Sequence, residues 1–481
     1  MSDRITTGTP ASAMLTDLFR RMTPAVGELG ERFAAHGHEL ALVGGSVRDV
    51  FLGRTGNDLD LTTDAPPERV LEIVRGWADS IWTIGIEFGT VGVRKGRWML
   101  EITTYRSESY DPKSRKPDVV YGTSLHEDLS RRDFAVNAMA VRLPVGDSVD
   151  LVDPFDGLAD LAAKRLRTPG PPERSFDDDP LRMLRAARFV SQLGFTVAPE
   201  TFTAMKEMAE RIEIVSAERI QAELDKLICG RHPRAGLTLL VESGLARIVL
   251  PELPKLRLEI DEHHRHKDVY EHTLTVLEQA IAQEENGPDR VLRWAALMHD
   301  VGKPKTRRLE PGGRVSFHHH EVVGAQMTRK RLTALKFPKD VVADVSRLVE
   351  LHLRFHGYGT GEWTDSAVRR YVRDAGHLLE RLHKLTRADC TTRNKRKAQA
   401  LQRAYDHLEE RIARLAEEEE LAKIRPELDG NEIQRILGIG PGPTVGKAYK
   451  FLLDMRLDRG VIGKEAATEA LLKWAEENGI R

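Results

Sequence analysis

The sequence predicts a mixed α/β head at the amino-terminal end and an all-helical region after it. Two observations lead to this fold class. Short apolar or alternating segments separated by turn residues fill residues 1–165, and nearly every segment after Pro180 has apolar residues at helical spacing. Between them, the run Pro169-Gly170-Pro171-Pro172 is typical of a linker.

The elements of the head follow in a regular order. An apolar strand at residues 39–43 runs into a Gly-Gly-Ser turn, and residues 47–52 then begin a helix. Residues 57–63 alternate between polar and apolar side chains, as a half-buried strand does. Segments 89–94 and 98–105 flank Lys95-Gly96-Arg97 and predict a hairpin. In the second region, helices are predicted at residues 181–193, 199–212 and 217–227.

A chain of 481 residues with 41% hydrophobic residues is too long for a single core. We therefore expect four domains. They are an α/β head at 1–165, a helical neck at 166–261, a His-rich helical domain at 262–400 and a helical tail at 401–481.

Composition narrows the class of function. The two cysteines, Cys229 and Cys390, lie far apart, which excludes a disulfide framework or a thiolate metal site and fits the cytoplasm. The first residues are polar and no apolar run is long enough to span a bilayer, so we expect a soluble, unexported protein with no membrane partner. The 73 basic and 74 acidic residues nearly cancel, so any affinity for a polyanion must come from local patches.

Asp58 and Asp60 are the first candidates for catalysis. Two residues apart in a strand, they project to one face, while Leu59 and Leu61 point into the core. Mg²⁺ prefers carboxylate oxygen, and two such ions can activate an attacking hydroxyl and stabilise a leaving pyrophosphate. Taken alone, so short a pattern is more often a surface strand or turn.

A candidate phosphate-binding turn precedes this pair. Gly44, Gly45 and Ser46 place small residues at a strand-to-helix turn, where free backbone N–H groups attract phosphate. Arg48 adds a positive charge that we expect to be mobile. The run Gly44-Gly45-Ser46-Val47-Arg48-Asp49 followed by Asp58-Leu59-Asp60 is far more specific than either part alone.

These motifs resemble the class II tRNA nucleotidyltransferases and the related bacterial poly(A) polymerases. Arg131-Arg132-Asp133-Phe134 with Asn137-Ala138-Met139 is similar to the family motif that contacts ribose and triphosphate. Asp153-Pro154-Phe155-Asp156-Gly157 is similar to the motif after it. The resemblance implies a polymerase-beta-like nucleotidyltransferase fold for the head.

The resemblance also implies roles for single residues. Arg131 or Arg132 would clamp a triphosphate, and Asp133 and Asn137 would bond sugar hydroxyls, although a charged turn before a buried strand would give the same pattern. In the family, a loop at residues 110–117 helps the addition of A. Glu101 is either a third carboxylate near the metals or a structural residue, and the sequence leaves this open.

Base selection is expected at the start of the neck. Asp179 and Arg182 lie three residues apart on one helix face, and Arg185 and Arg188 continue the stripe. Away from the other motifs, the first two would be read as a surface ion pair. The surrounding segment resembles the family's base-selecting motif, except that Asp178 stands where the family usually has Glu.

The chemistry of the bases explains how such a pair would select. Cytosine and adenine both carry an exocyclic amine beside a ring acceptor, so a carboxylate can accept from the amine while a guanidinium donates to the ring. Guanine and uracil reverse this pattern. One Asp–Arg pair would therefore favour C and A without a template.

A set of histidine and aspartate residues resembles the metal site of HD phosphohydrolases. The set is His272, His299, Asp300 and Asp389, with His320 and His352 in the order of the further ligands of two-metal sites. It implies a second divalent metal of unknown identity and a possible hydrolytic activity on phosphorylated RNA ends. His263, His264 and His266 are expected to be ordinary solvated or core residues.

The sequence therefore predicts an enzyme that adds C, C and A to the 3′ end of tRNA from CTP and ATP, with Mg²⁺ in the head. A poly(A) polymerase shares every head motif and is the nearest alternative. An HD phosphohydrolase with an inactive head is the alternative from another class. Candidate tRNA contacts are the basic run at 393–397 and the Gly-rich turn at 438–446, each of which also fits a solvated segment. The oligomeric state and the number of nucleotides added stay open.

Overall fold

The computed structural model describes residues 16, 19, 23–54, 56–109, 118–121, 124–145, 149–257, 268–311, 314–355, 358, 363–390, 395–419 and 424–480. The chain divides into two compact units, Met1–Val249 and Leu250–Arg481. The predicted fold class is confirmed, since an α/β head with a mixed sheet leads into helical regions. The four domain boundaries given above remain predictions.

A seven-stranded sheet forms the centre of the head. Its strands are β1 (Leu40–Val43), β2 (Asp58–Thr63), β3 (Ser80–Trp82), β4 (Thr90–Lys95), β5 (Trp98–Thr104), β8 (Ala140–Leu143) and β9 (Leu151–Val152), in the order β3-β4-β5-β2-β1-β8-β9. Strands β2 and β5 are parallel, and the other pairs are antiparallel. Between β5 and β8, strands β6 (Arg106–Ser109) and β7 (Asp118–Tyr121) form a separate hairpin.

Helices cover one face of this sheet. The head helices are α1 (Thr23–Ala35), α2 (Gly45–Phe51), α3 (Pro67–Val74), α4 (Leu125–Ser130) and α5 (Gly157–Ala162). Helix α1 packs on β1 and β8, and α3 packs on β4 and β5. On the other face, Leu125 and Leu129 of α4 pack on Ala41 and Val43 of β1, and the part formed by β2 and β5 stays open. In β5, Leu100 and Ile102 are buried, whereas Met99 and Glu101, which alternate with them along the strand, are exposed. The alternation places the polar edge residues of β2 and β5 on the open face.

The neck helices follow the Pro-rich linker. They are α6 (Pro172–Asp178), α7 (Leu181–Leu193), α8 (Pro199–Met208), α9 (Ala217–Ile228), α10 (Pro233–Glu242) and α11 (Ala246–Val249). Helix α7 packs against α9 and α10 and is held tightly, since a Cβ on Gly236 of α10 would lie 2.7 Å from the carbonyl oxygen of Ala187. Residues 209–212, predicted to continue α8, belong instead to a 3-10 turn at Ala209–Ile214.

The second unit is mainly helical. Its helices are α12 (Val269–Ile281), α13 (Arg290–Met298), α14 (Lys303–Thr306), α15 (His320–Ala334), α16 (Lys339–Leu351), α17 (Asp365–Ala375), α18 (Leu379–Asp389), α19 (Lys395–Glu419), α20 (Gly430–Leu437), α21 (Pro443–Arg459) and α22 (Lys464–Glu477). Helices α20 to α22 enclose a core of their own.

Two small sheets were not predicted in the helical regions. Strand β10 (Arg165–Leu166) pairs with β11 (Thr196–Val197), and β12 (Arg308–Glu310) with β13 (Arg314–Ser316). Strands of two or three residues are too short for an alternating pattern to be recognised. Among the described residues, no helix has the length and apolar character needed to cross a membrane.

Candidate active sites

Three carboxylates lie next to one another on the open face of the head sheet. Asp58 and Asp60 are both on the exposed side of β2, and Glu101 of β5 is the direct neighbour of Asp60 in the parallel ladder. Burial raises the pKa of Asp60; Arg132 opposes this shift and Asp58 adds to it. Burial also raises the pKa of Glu101, with further contributions from both aspartates. Mutual repulsion of this kind is relieved by a cation, so these residues fit a divalent metal.

The turn before α2 brings a positive charge to these carboxylates. Gly44 has a φ of 69°, and a Cβ there would lie 3.1 Å from Nη1 of Arg132 and 3.5 Å from Oδ2 of Asp60. Glycine therefore permits both the left-handed backbone and the close approach. Ser46 Oγ accepts a hydrogen bond from the backbone N–H of Asp60 at 2.9 Å and ties the turn to the strand.

A cavity of about 150 Å³ opens beside the two aspartates. Its lining comprises Gly45, Ser46, Asp49, Val50, Arg54, Gly56, Asp58, Leu59 and Asp60. This volume is below the ~300–1,000 Å³ typical of small-molecule pockets, so it can hold only part of a nucleotide.

A buried carboxylate that the sequence analysis missed fixes the two arginines of the next motif. Asp128 is fully buried, and its oxygens accept from Arg131 at 2.6 Å and from Arg132 at 3.0 Å. Burial works against ionisation, but the two guanidiniums hold the pKa of Asp128 below its usual value. The spacing of three and four residues within one helical segment was readable in the sequence and indicates such pairs.

Asp133, Asn137 and Arg185 form a buried network behind the turn. Asp133 accepts from Asn137 Nδ2 at 2.9 Å and from Arg185 Nε at 2.8 Å. Burial alone would raise the pKa of Asp133, but Arg185 and Asn137 lower it to about 2. The expectation that Arg48 is mobile is wrong. Its side chain is buried and donates to Asn137 at 2.7 Å and to Asp49 at 2.9 Å.

The proposed base-selecting pair sits at the start of α7. Arg182 is buried and donates to Ser175 Oγ at 2.9 Å and to the carbonyl oxygen of Arg131. Asp179 precedes the helix and accepts from the N–H of Leu181 at 3.1 Å, and its other oxygen pairs with Arg219 at 2.8 Å. The two side chains are thus positioned by different neighbours. The contact between Arg219 and Asp179 was not predicted, because the two residues are 40 positions apart in the sequence.

Arg188, which we expected to continue the stripe with Arg185, packs against the neighbouring helix α9. It is buried, pairs with Glu223 of α9 at 3.1 Å and lies over the ring of Phe189 at 4.2 Å. Burial lowers the pKa of Arg188 to about 10, and Glu223 opposes that shift. Its guanidinium therefore serves the packing of α7 on α9.

The carboxylate edge and the base-selecting pair are connected within one unit. Arg182 bonds to the backbone of Arg131, Asp128 joins Arg131 to Arg132, and Arg132 approaches both Gly44 and Asp60. Hydrogen bonds and ion pairs thus lead from the start of α7 to Arg132, and Arg132 and Asp60 both lie close to Gly44 beside the edge of β2.

In the second unit, four histidines and two aspartates converge. The possible metal-holding groups are His272 with His299 and Asp389, and Asp300 with His320 and His352, each with ligand atoms within 4.8 Å of one another. The closest approach is 2.9 Å, between Nε2 of His272 and Oδ1 of Asp389. Asp300 lies 3.3 Å from the Nε2 atoms of both His299 and His320.

The orientation of these imidazoles fits a metal site. His299, His320 and His352 each place Nδ1 within 2.6–2.8 Å of a backbone carbonyl oxygen, which fixes the ring and leaves Nε2 for a ligand. Among the described residues, these three buried Nε2 atoms have no hydrogen-bond partner. Buried polar atoms without partners are costly, and a divalent cation would satisfy all three.

Charge is strongly coupled in this cluster. Burial alone would lower the pKa of His299, but the carboxylates of Asp300 and Asp389 raise it to about 10. Despite burial, His299 and Lys303 hold the pKa of Asp300 well below its usual value, and Lys303 Nζ lies 2.6 Å from Asp300. Burial and the neighbouring His299 lower the pKa of His352 to about 3.

Several predicted features fall outside the described residues. They are the loop at 110–117, His263, His264 and His266, and residues 393 and 394 at the start of the basic run. Arg396 of that run is exposed, and the Gly-rich turn at 438–446 is largely exposed between α20 and α21.

Family models match three parts of the chain. The Poly A polymerase head domain matches residues 40–167, the probable RNA and SrmB-binding site of polymerase A matches residues 194–256, and the HD domain matches residues 269–420.

Known proteins are similar to this chain, some over nearly its whole length and some over about half of it. An A-adding tRNA nucleotidyltransferase from Deinococcus radiodurans is 34% identical over 446 residues, 91% of this chain and 96% of the relative. A CCA-adding enzyme from Lactococcus lactis is 45% identical over 233 residues, which cover 48% of this chain and 56% of that enzyme. The Bacillus stearothermophilus CCA-adding enzyme in complex with CTP has a TM-score of 0.68 at 25% identity, covering 95% of this chain and 98% of that one.

Proposed function

The chain belongs to the tRNA nucleotidyltransferase family, and on that premise we propose that it adds C, C and A to the 3′ end of tRNA from CTP and ATP. The 3′-hydroxyl of the RNA attacks the α-phosphate, and pyrophosphate leaves as the new phosphodiester bond forms. The observation that supports this most strongly is the network that runs from Arg182 through Arg131 and Asp128 to Arg132, which lies with Asp60 beside Gly44. It supports the proposal that the acidic edge and the Asp179–Arg182 pair act on one nucleotide.

Each part of the network has a role in this reaction. Divalent ions, which we infer to be Mg²⁺, would be held by Asp58 and Asp60 and would stabilise charge on the attacking and leaving oxygens. Arg132, fixed by Asp128, binds the triphosphate. Asp133 and Asn137 orient the sugar. Because CTP, ATP and tRNA are cytoplasmic compounds, we infer a cytoplasmic location.

Nucleotide choice follows from Asp179 and Arg182. The carboxylate accepts from the exocyclic amine of C or A, and the guanidinium donates to the adjacent ring acceptor. With G or U, the carboxylate of Asp179 would face a carbonyl oxygen of the base. Both groups are acceptors, and each one left unsatisfied costs roughly 1–3 kcal/mol.

The products formed on defined tRNA ends test this function. With tRNA that lacks CCA, we expect CTP alone to add two nucleotides, and CTP with ATP to complete CCA and stop. Long A tracts from ATP, with no use of CTP, would instead identify a poly(A) polymerase.

Addition of A alone is the second candidate for the head. The relative that spans almost the whole chain is named an A-adding enzyme, whereas the similarity to curated CCA-adding enzymes covers about half of their length. Transfer of A to tRNA ending in CC, with no transfer of C to tRNA lacking CCA, would assign this narrower activity.

The histidine cluster supports a second, hydrolytic activity. We infer that it binds one or two divalent ions and hydrolyses phosphate esters at RNA ends, because three buried Nε2 atoms there have no hydrogen-bond partner among the described residues. Metal analysis after purification should find a divalent ion in the protein. Asp389→Asn should lower the bound amount, and Glu380→Gln, an exposed change on the same helix α18, should not.

A further inference from the structure

The open face of the head sheet continues past the catalytic carboxylates towards its edge strand. Asp60 is the ladder neighbour of Glu101, Glu101 of Gly92, and Gly92 of Trp82. Residues paired directly across strands share a face. Trp82, at the edge of the sheet, therefore projects from the same face as the carboxylates.

The indole of Trp82 lies flat against the sheet at Gly92. A Cβ built on Gly92 would be 1.9 Å from both Cε2 and Nε1 of the indole, so any other residue there would displace the ring. The absence of a side chain at this position brings an aromatic surface next to Glu101. With strands about 4.8 Å apart, the ring above Gly92 is about 10 Å from the backbone of Asp60.

The surroundings of this ring are suited to single-stranded RNA. Trp82 is only partly buried, and Met99, which neighbours Asp58 in the ladder, is 38% exposed on the same face. Arg94, the ladder neighbour of Met99, is also exposed there. An aromatic surface beside a cation is the combination that binds bases and backbone of single strands.

The direction of the reaction places the RNA on this side. In an in-line displacement the attacking and leaving oxygens lie on opposite sides of the phosphorus. Arg132 and the Gly44 turn, which would bind the leaving pyrophosphate, lie towards β1, on one side of the two aspartates. Glu101, Gly92 and Trp82 lie on the other side.

We propose that Trp82, lying on Gly92, is the stacking platform for the base at the 3′ end of the acceptor RNA. This inference rests on the proposed nucleotidyl transfer and adds the binding site of its second substrate. Stacking holds the terminal base irrespective of its identity, because every base has a π-face. A platform of this kind suits an enzyme whose acceptor ends in a different nucleotide after each addition.

Steady-state kinetics with tRNA lacking CCA provide the first test. Trp82→Ala should raise the KM for tRNA by about 5- to 100-fold, the loss expected from one stacked base, and leave the KM for CTP unchanged. Gly92→Ala should raise the KM for tRNA as well, because its methyl group displaces the indole. Trp82→Phe should retain most of the affinity. Ile81→Ala is the matched control, because Ile81 is 39% exposed on the same strand but faces the other side.

A double-mutant cycle separates stacking from a structural role. With wild-type protein, an acceptor whose 3′-terminal nucleotide is abasic should show a raised KM of similar size. With Trp82→Ala, the abasic and normal acceptors should differ by no more than about twofold, because the stacking partner is already missing. Thermal melting of each variant checks that the fold is intact.

Two outcomes would overturn the platform. One is an unchanged KM for tRNA in Trp82→Ala; the other is an abasic penalty that is the same with and without Trp82, in which case the indole merely covers the edge strand. Absence of any transfer by the wild-type protein would refute the proposed function instead. Equilibrium binding of normal and abasic tRNA to wild type and Trp82→Ala would then still measure the stacking.

Discussion

We propose that single carboxylates on β2 and its neighbour β5 carry the chemistry of the head. Asp58, Asp60 and Glu101 repel one another on one face, and burial raises the pKa values of Asp60 and Glu101 further. A charged cluster of this kind costs free energy unless cations are bound to it. Arg132 provides part of the compensation at Asp60, and divalent ions would provide the rest.

Asp60→Asn should therefore remove activity and preserve the fold. We expect kcat for CTP addition to fall by about 100-fold or more, since metal ions contribute several kcal/mol of transition-state stabilisation and 1.4 kcal/mol is tenfold. Single-turnover transfer to tRNA measures the effect, and the melting temperature should not fall, because a repelled carboxylate is lost. Glu72→Gln, an exposed change on α3, is the control. Turnover within threefold of wild type would remove Asp60 from the mechanism.

At the scale of elements, the packing of α7 on α9 sets the base-recognition pair. Arg219 projects from α9 and holds Asp179, whereas Arg182 is held by Ser175 of α6 and by the turn after α4. The carboxylate and the guanidinium therefore keep their relative position only while these elements stay in place. In the proposed function, selectivity would therefore depend on the helix arrangement as much as on the two side chains.

Arg219→Ala should weaken selectivity more than stability. The ion pair with Asp179 is largely exposed at Arg219, so its loss should cost less than about 1 kcal/mol of folding free energy. The released carboxylate should lower the preference for CTP over UTP, measured as the ratio of kcat/KM values, by about 3- to 10-fold, or about 0.7–1.4 kcal/mol. Arg211→Ala, which breaks the exposed pair with Asp177 at 2.6 Å, is the matched control. An unchanged ratio in Arg219→Ala would contradict this role.

The sequence predicted the elements whose patterns are local. Alternation at residues 57–63 placed Asp58 and Asp60 on one face, and the structure has them there. The neighbours of these residues in other strands could not be predicted, because register is set by pairing distant segments. Trp82 is therefore visible on the face of the carboxylates only in the folded sheet, and the folded sheet places Glu101, whose role the sequence left open, directly beside Asp60. The burial of Arg48 was missed for the same reason, since its partner Asn137 is 89 residues away.

On the scale of the whole molecule, each unit contains one of the two candidate sites. The carboxylate edge and the base-recognition pair belong to residues 1–249, and the histidine cluster belongs to residues 250–481. Since no residue is shared between the two sets, the two reactions should be separable by mutation.

Reciprocal variants test this separation. Asp389→Asn should lower divalent-metal content and any phosphatase activity on RNA ends, and leave CTP addition within about twofold of wild type. Asp60→Asn should abolish CTP addition and leave the phosphatase activity and the divalent-metal content of the second unit unchanged. Both activities are measured on the same preparations, with 3′-phosphorylated and unphosphorylated acceptors. Loss of nucleotide addition in Asp389→Asn, with an unchanged melting curve, would show that the two sites depend on each other.

We propose that the carboxylates of β2 and the Asp179–Arg182 pair at the start of α7 bind one and the same nucleotide. Equilibrium binding of CTP and UTP in the presence of Mg²⁺ measures this most directly in wild type, Arg182→Ala and Asp60→Asn. Wild type should prefer CTP by roughly tenfold or more, given 1–3 kcal/mol for each unsatisfied polar group. Arg182→Ala should bring the two affinities within about twofold, and Asp60→Asn should weaken both nucleotides equally. Full preference for CTP in Arg182→Ala would contradict a shared site.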